Sequence, residues 1–432
     1  MSVKVRFAPS PTGTLHVGSA RTALFNWLFA KHHRGTLILR IEDTDQKRSN
    51  PAFLNDIYES LAFLGIRADE GPIFQSQRLP LYQEHAQRLL KTGKAVQQEG
   101  AVVFPVPSGQ VTFTDLLHGD ITVETTLFET LVLMKSDGLP TYNFACVVDD
   151  ALMQISHVIR GDDHIANTPK QVVLYSALGF PLPVFAHIPL IVGADRARLS
   201  KRQGATSVAE YREVGYLAEA FVNYLALLGW SPGGNREVVP PNELIELFDL
   251  MKVRKAAAQF DQQKLDWLNS QYLKRLPVVH LSELLAERVI AKGWLAPDYD
   301  RAWMERIATL LQDRLKVLSD IEEEHSFFFI EPPPYQEEAV AQFLRRDGIG
   351  KRLMILRERL EQLPSFEVSA VEQTVRAMVA EEQLQSKDLI HPVRVALTGR
   401  SVSPPLFEVM AILGKSTVLK RLEYAATKLA VA

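Results

Sequence analysis

The first seventy residues repeat a strand-then-helix order, and that alternation constrains the fold more than any other feature of the chain. "VKVRF" (3–7) alternates in the manner of a strand, Ser19 to Lys31 puts Leu24, Phe25, Trp27 and Leu28 on one helical side, and "TLILRI" (36–41) is a second strand. In "NPAFLNDIYESLAFLG" (50–65), Asn50 is placed to cap a helix, Pro51 suits its first position and Gly65 its end. Strands alternating with helices build a parallel, doubly wound, Rossmann-like sheet. Between about 81 and 146 the rhythm changes to short strand-like runs, "AVVFPV", "QVTF", "ITVE" and "TLVLMK", which read as an α+β insertion. The alternation then returns, with "HVIR" as a strand, a helix opened by Thr168 and Pro169 and closed by Gly179, and "FAHIPLIVG" as a strand. Beyond Ser207 almost only helical periodicity continues, with proline-bearing breaks near 231–241, 277, 331–334 and 402–405. The expected plan is an α/β domain in two halves, 1–80 and 147–206, split by the insertion at 81–146. An all-α arm follows, divided into 207–330 and 331–432.

Composition excludes several classes. A single cysteine, Cys146, leaves no intramolecular disulfide framework and no Cys-rich zinc site. No run approaches the ~18 uncharged apolar residues of a membrane span, and the start "MSVKVRFAPSP" has no secretory pattern, so a cytoplasmic protein is expected. The net charge of −3 gives no global basicity, yet RNA binding needs only a local basic surface. The stretch 391–432 has such an excess: Arg394, Arg400, Lys415, Lys420, Arg421 and Lys428 stand against Glu408 and Glu423.

In an open α/β sheet, ligands sit outside the carboxyl ends of the strands. Four polar segments reach that edge: "FAPSPTGTLHVGS", "RIEDTD", "VIRGDDH" and "RARLSKRQG". Gly18, at a helix start, would let a phosphate approach backbone N–H groups that carry partial positive charge, and His16 could donate to the same phosphate. A plain tight turn is the competing reading. Arg198, Lys201 and Arg202 could stabilise charge on a transferring phosphate or form a solvated basic turn. Arg6 and Arg160 fall in or at the end of central strands, where arginine is almost never buried without a partner. Their planar forks suit a carboxylate, either of an acidic ligand or of Glu42, Asp43 or Asp162 within the chain. Glu42 could hold a ligand ammonium or pair with an arginine. Tyr142 stands at a pocket wall or in the core, and Cys146, in "FACVV", reads as a small core residue.

Together the segments resemble the bacterial-type glutamyl-tRNA synthetases, class I enzymes. "HVGS" (16–19) after "APSPTG" (8–13) is similar to their HIGH signature, and "LSKR" (199–202) to their KMSKS signature. "RIEDTD" (40–45), "LPTYNF" (139–144), "VIRGDDHIANTP" (158–169), "FDQQKLDWLN" (260–269) and "HPVRVALTG" (391–399) also resemble segments of that family, so the likeness spans nearly the whole chain. It implies ATP-dependent attachment of glutamate to tRNA through glutamyl-adenylate, with His16 and Lys201 catalytic. Thr12, Gly18, His164, Leu199, Ser200 and Lys201 would bind ATP, and Arg6, Ser10, Glu42, Tyr142 and Arg160 would bind glutamate. Arg359, Arg394 and Arg400 would contact tRNA. The implied partners are L-glutamate, ATP with Mg²⁺, and tRNA-Glu, with tRNA-Gln a second candidate. No dedicated metal ligands, no structural zinc, no membrane and a monomer are expected. The chain departs from the family at Arg198, where lysine is frequent, and at Gln203, where histidine is frequent. Several dozen family residues are also missing between "KTGKAV" (91–96) and "VVFPVPSG" (102–109), in the region that approaches the tRNA acceptor end. That shortening keeps two other functions open: a tRNA-binding or regulatory paralogue, and a glutamate-adenylating enzyme with another acceptor.

Overall fold

The computed structural model describes residues 2–197 and 206–430. They form two compact units, 1–268 and 269–432. In the first, strands β1 (Lys4–Phe7), β2 (Thr36–Ile41) and β3 (Glu70–Phe74) run parallel in that order. Helix α1 (Val17–His32) connects β1 to β2, and α2 (Pro51–Phe63) connects β2 to β3. The punctuation works as the sequence implies. Asn50 accepts from the Ala52 amide at 2.9 Å, Pro51 opens α2, and Gly65 follows it at φ +66°. Val17, Ala20, Leu24, Phe25 and Leu28 of α1 are fully buried, whereas Trp27 is only half-buried. Strand β3 has no strand signal of its own, because "EGPIF" carries a Gly-Pro pair. It forms as an edge strand, where proline's missing donor is tolerated.

After α3 (Leu79–Lys91), the inserted segment supplies β4 (Val96–Gln98), β5 (Ala101–Pro105), β6 (Gln110–Asp115), β7 (Gly119–Glu124) and β8 (Thr130–Met134). Strands β4, β5 and β8 form their own antiparallel sheet. The hairpin β6–β7 does not stay apart. Following α4 (Tyr142–Leu152), β9 (His157–Gly161), α5 (Thr168–Leu178) and β10 (Val184–Ile188), it extends a four-stranded sheet in the order β7-β6-β10-β9. Asp115, at the end of β6, lies opposite Phe185 of β10. Insertion and α/β halves share one core, in which Phe104, Phe113 and Leu133 join Ile38, Phe144, Val158 and Phe185. Helix α4 runs through the 146/147 boundary drawn from the sequence.

Strand β9 starts beside β1: the Ser156 amide donates to the Lys4 carbonyl at 2.9 Å, and the Lys4 amide to Ser156 Oγ at 2.7 Å. The chain therefore winds from β1 outward to β2 and β3 on one side, and through β9 to β10 on the other. The reversal between β1 and β9 is the topological switch point at which such sheets open a crevice. The expected strand "FAHIPLIVG" breaks at Pro189, which has no N–H to donate. Its remainder, β11 (Ile191–Val192), pairs with β12 (Ala258–Gln259).

The rest of the chain is helical, and its prolines mark helix starts: Pro241 opens Pro241–Leu247, while Pro277 and Pro405 immediately precede Val278–Ala291 and Leu406–Tyr424. In the second unit Leu353, Leu356 and Leu360 pack with Val371, Val375, Met378 and Val418. Among the described residues, no helix is long and apolar enough to cross a membrane.

Strands β4 and β5 are joined by a two-residue hairpin turn. Gln98 faces Ala101 across Glu99 (φ +50°) and Gly100 (φ +81°), the positive pair that a type I′ turn demands. Equilibrium unfolding of Glu99→Asn should show stabilisation of roughly 0.5 kcal/mol and Gly100→Ala a loss of about 1 kcal/mol, because only the former residue tolerates the left-handed region.

Candidate active site

A cavity of about 540 Å³ opens at the carboxyl ends of β1, β2 and β9. Arg6, Ser10, His16, Gly18, Glu42, Tyr142, Arg160 and His164 all line it, so residues spread over more than 150 positions meet where the switch point predicts. Thr12 is exposed in the preceding turn and is not part of the wall. Leu199, Ser200 and Lys201, with Arg198, Arg202 and Gln203, lie outside the described residues. The chain that follows them returns to this site: the Val17 amide donates to the Thr206 carbonyl at 2.9 Å, and the Val208 amide to Leu15 at 3.0 Å.

Each side chain is held by its element. His16 caps α1, with Nδ1 accepting from the Ser19 amide at 3.3 Å. Its ring folds over Gly18, where an added Cβ would stand 3.1 Å from the ring atoms, so glycine also makes room for the histidine. The Tyr142 hydroxyl lies 3.0 Å from His164 Nδ1. Burial and the neighbouring Arg160 push His164 down to about 4, so it is neutral at pH 7. Burial raises the Tyr142 phenol, which therefore stays protonated.

Arg6 does carry an internal ion pair, but with Asp150 rather than with Glu42, Asp43 or Asp162. Its Nε donates to Asp150 Oδ1 at 3.0 Å. Asp150 also accepts from Arg40 at 2.6 Å, and Arg40, fully buried, reaches Glu42 Oε1 at 3.0 Å. Beside them Asp149 accepts from Arg78 at 2.6 Å, Tyr82 at 2.7 Å and Gln75 at 2.9 Å. Arg40, Asp149 and Asp150 escaped the sequence reading. Arg40 in "TLILRI" is, like Arg6, an arginine within an apolar strand, and the two acids in the apolar helix "FACVVDDAL" are a second signal. Burial pushes the Asp150 carboxyl up, but Arg6 and Arg40 outweigh it and leave it at about 2. Burial also lifts Glu42 above the usual carboxylate range, partly offset by Arg40. Burial drives the Cys146 thiol up to about 12, which makes it an inert core residue.

Arg160 differs from both. It is 5 % exposed, and no carboxylate pairs with it among the described residues. Its Nε donates to His187 Nε2 at 3.1 Å and its Nη2 to Thr168 Oγ1 at 2.7 Å, while buried Nη1 has no partner. The guanidinium is thus buried on neutral acceptors and over the Phe185 ring, with no carboxylate bonded to it directly, and it borders the cavity.

The three arginines expected to meet tRNA belong to the second unit. Arg359 pairs with Glu381 at 2.7 Å and borders a shallow groove with Gln362, Gln373 and Thr374. Arg394 is half-buried and donates to Ser403 Oγ at 2.8 Å; burial lowers its guanidinium pKa. Arg400 donates to the Glu323 carbonyl. Arg421, counted in the basic excess, is buried on Glu331 and the Leu397 carbonyl. Part of that excess is therefore structural.

The family of class I tRNA synthetases (E and Q), catalytic domain, matches residues 2–102 and 97–267, and the anticodon binding domain matches 278–426. The chain is thus built as a class I synthetase of the glutamate and glutamine branch. The glutamate–tRNA ligase of Moorella thermoacetica is 42% identical over 479 aligned positions, covering 98% of both chains. Glutamate–tRNA ligase 1 of Caldanaerobacter subterraneus subsp. tengcongensis is 40% identical over 98% of this chain and 97% of its own. A crystal structure of a glutamate tRNA ligase from Elizabethkingia meningosepticum in complex with its amino acid superposes with a TM-score of 0.86 at 31% identity, over 99% of this chain and 100% of that one. The chain belongs to the glutamate–tRNA ligase family. The 479 aligned positions exceed the 432 residues of the chain, and the catalytic match divides at 97–102, where the two-residue hairpin turn lies.

Replacing Asp150 by Asn strands the buried Arg6 guanidinium and leaves Arg40 to Glu42 and Asp149, and should lower unfolding stability by about 3–5 kcal/mol. Since the folded carboxyl titrates at about 2, below its unfolded value, its contribution is present above pH ~4 and is lost as pH falls through about 2. Acid unfolding of the wild type and a flattened acid limb in Asp150→Asn would check both statements.

Proposed function

We propose that this chain attaches glutamate to tRNA in two steps, first condensing glutamate with ATP to glutamyl-adenylate and pyrophosphate, then passing the glutamyl group to the terminal ribose hydroxyl of the tRNA. The observation that carries this reading is Arg160, buried with no carboxylate bonded to it directly, at the switch-point cavity, across which Arg6 and Glu42 complete a set for one acidic amino acid. Arg160 and the terminal nitrogens of Arg6 receive the side-chain carboxylate, Glu42 the ammonium, and Ser10 and Tyr142 close the wall. Relatives named as ligases favour charging of tRNA over a non-charging paralogue or another acceptor.

The α-carboxylate of glutamate is ionised at pH 7, so attack on the α-phosphorus of ATP needs no general base. It needs alignment and stabilisation of the charge that builds on the phosphate. His16 sits at the N-terminus of α1, where it can donate to an α-phosphate oxygen beside the partial positive charge of the helix end. Gly18 leaves the backbone accessible there, His164 and Gly18 border the nucleotide, and Thr12 stands on its approach. Lys201 supplies the second cationic contribution, with Leu199 and Ser200 bordering the nucleotide. Mg²⁺ would arrive with the ATP phosphates, as that ion is commonly held by substrate phosphates. Arg359, Arg394 and Arg400 belong to the tRNA-facing unit, Arg359 at the groove beside helix Val368–Glu381.

Aminoacylation of separate tRNA-Glu and tRNA-Gln transcripts with labelled glutamate tests the reading and defines the acceptor range. Failure to charge either one at saturating ATP would overturn it. His16→Ala should lower kcat by roughly a hundredfold, in line with loss of one transition-state donor, while the KM for glutamate stays within a few-fold.

A further inference from the structure

Asp115 and His187 take no part in the contacts proposed above, yet they are among the most deeply buried polar residues of the first unit, at 1% and 0% exposure. Asp115 is brought in by the inserted hairpin. It ends β6 where that strand meets β10, and His187 lies on β10 directly opposite Arg160 of β9. The Asp115 carboxylate is saturated. Oδ1 accepts the amides of Leu117 and His118 at 2.9 and 3.0 Å, and Oδ2 accepts the amide and Nδ1 of His187 at 3.0 and 2.7 Å.

The proton positions on His187 follow from its partners. The Nε–H of Arg160 can only donate, so His187 Nε2, 3.1 Å away, must accept. The ring proton is then on Nδ1, pointing at Asp115. Burial and Arg160 both hold the ring below the usual imidazole range, against the pull of Asp115, which keeps it neutral at pH 7. Thr168 Oγ1, which accepts from Arg160 Nη2, also lies 3.0 Å from His187 Nε2. The guanidinium is thus fixed along two of its edges by neutral acceptors, with the nearest carboxylate of this array, Asp115, kept one imidazole away. A carboxylate in the place of His187 would fix it as firmly but neutralise it, and the cavity would lose its preference for an anion.

We propose that His187, oriented by Asp115, is a positioning residue that holds Arg160 in place without neutralising it and so sets the selectivity of the site for an amino-acid side-chain carboxylate over its amide. The inference rests on Arg160 as the acceptor of that carboxylate. It assigns the inserted hairpin a share in amino-acid selection, because Asp115, the group that fixes the histidine tautomer, comes from there.

Two substitutions separate this role from mere packing. Asn at 187 keeps a donor for Asp115 where Nδ1 stood and removes the acceptor for Arg160, whereas Gln places an amide oxygen near the former Nε2. Pyrophosphate exchange is measured with glutamate and with glutamine, total tRNA being present. His187→Asn should raise the KM for glutamate about tenfold or more, the effect of losing one hydrogen bond to a charged group. It should also shrink the glutamate-to-glutamine ratio of kcat/KM by a similar factor, with the KM for ATP unchanged. His187→Gln should recover most of both losses. Equal loss of ATP and glutamate affinity in both variants, or an unaltered selectivity ratio in folded His187→Asn, would overturn the inference. Wild-type protein that exchanges pyrophosphate with neither amino acid would instead overturn the reading beneath it.

Discussion

One buried guanidinium sets the terms for the site. Arg160 lies at the end of a central strand, has no carboxylate partner among the described residues, and leaves Nη1 without a hydrogen-bond partner. In a folded protein such a charge is expensive unless something answers it. Arg160 borders the cavity, and the topology puts that cavity at the reversal between β1 and β9, where Arg6 also emerges; the proposed glutamate side chain would answer the charge there. Fold and chemistry meet here through a single electrostatic requirement.

The neighbouring charges are treated in the opposite way. Arg6, Arg40 and Arg78 are matched by Asp149, Asp150 and Glu42 in one array that ties β1, β2 and α4 together. There the arginines brace the floor of the cavity, and Asp150, held at about 2, stays ionised throughout the physiological range. The contrast between a neutralised floor and an unneutralised wall is what gives the pocket a sign. Neutral His187 stands between Asp115 and Arg160 and preserves the contrast.

Much of this was legible in the sequence because it depends on local rules. Asn50, Pro51, Gly65 and Gly179 punctuate helices through their own backbone and side-chain preferences, and the elements they bound appear as expected. Arginines in apolar strands and polar loops at strand ends pointed to the cavity before any contact was known. What the sequence withheld depends on pairing between distant segments. Nothing in "EGPIF" indicates a strand until the free edge of β2 is present, and nothing in "QVTFTD" shows that its last residue will reach the sheet of β10. Part of the charge excess is engaged within the fold for a related reason: Arg421 is buried on Glu331, and half-buried Arg394 donates to Ser403. The shortness of the segment between 96 and 102 relative to the family was legible in sequence, while the two-residue turn there depends on the backbone angles of Glu99 and Gly100.

The most direct test of the account is amino-acid selection by an Arg160→Gln variant, read as the ratio of kcat/KM for glutamate over glutamine in tRNA-supported pyrophosphate exchange. The account predicts that the ratio falls by about a hundredfold or more, since the charge-assisted bonds to the side-chain carboxylate are lost, while the KM for ATP holds. A folded variant whose ratio matches the wild type would contradict it, because the buried charge would then be answering to something other than the substrate.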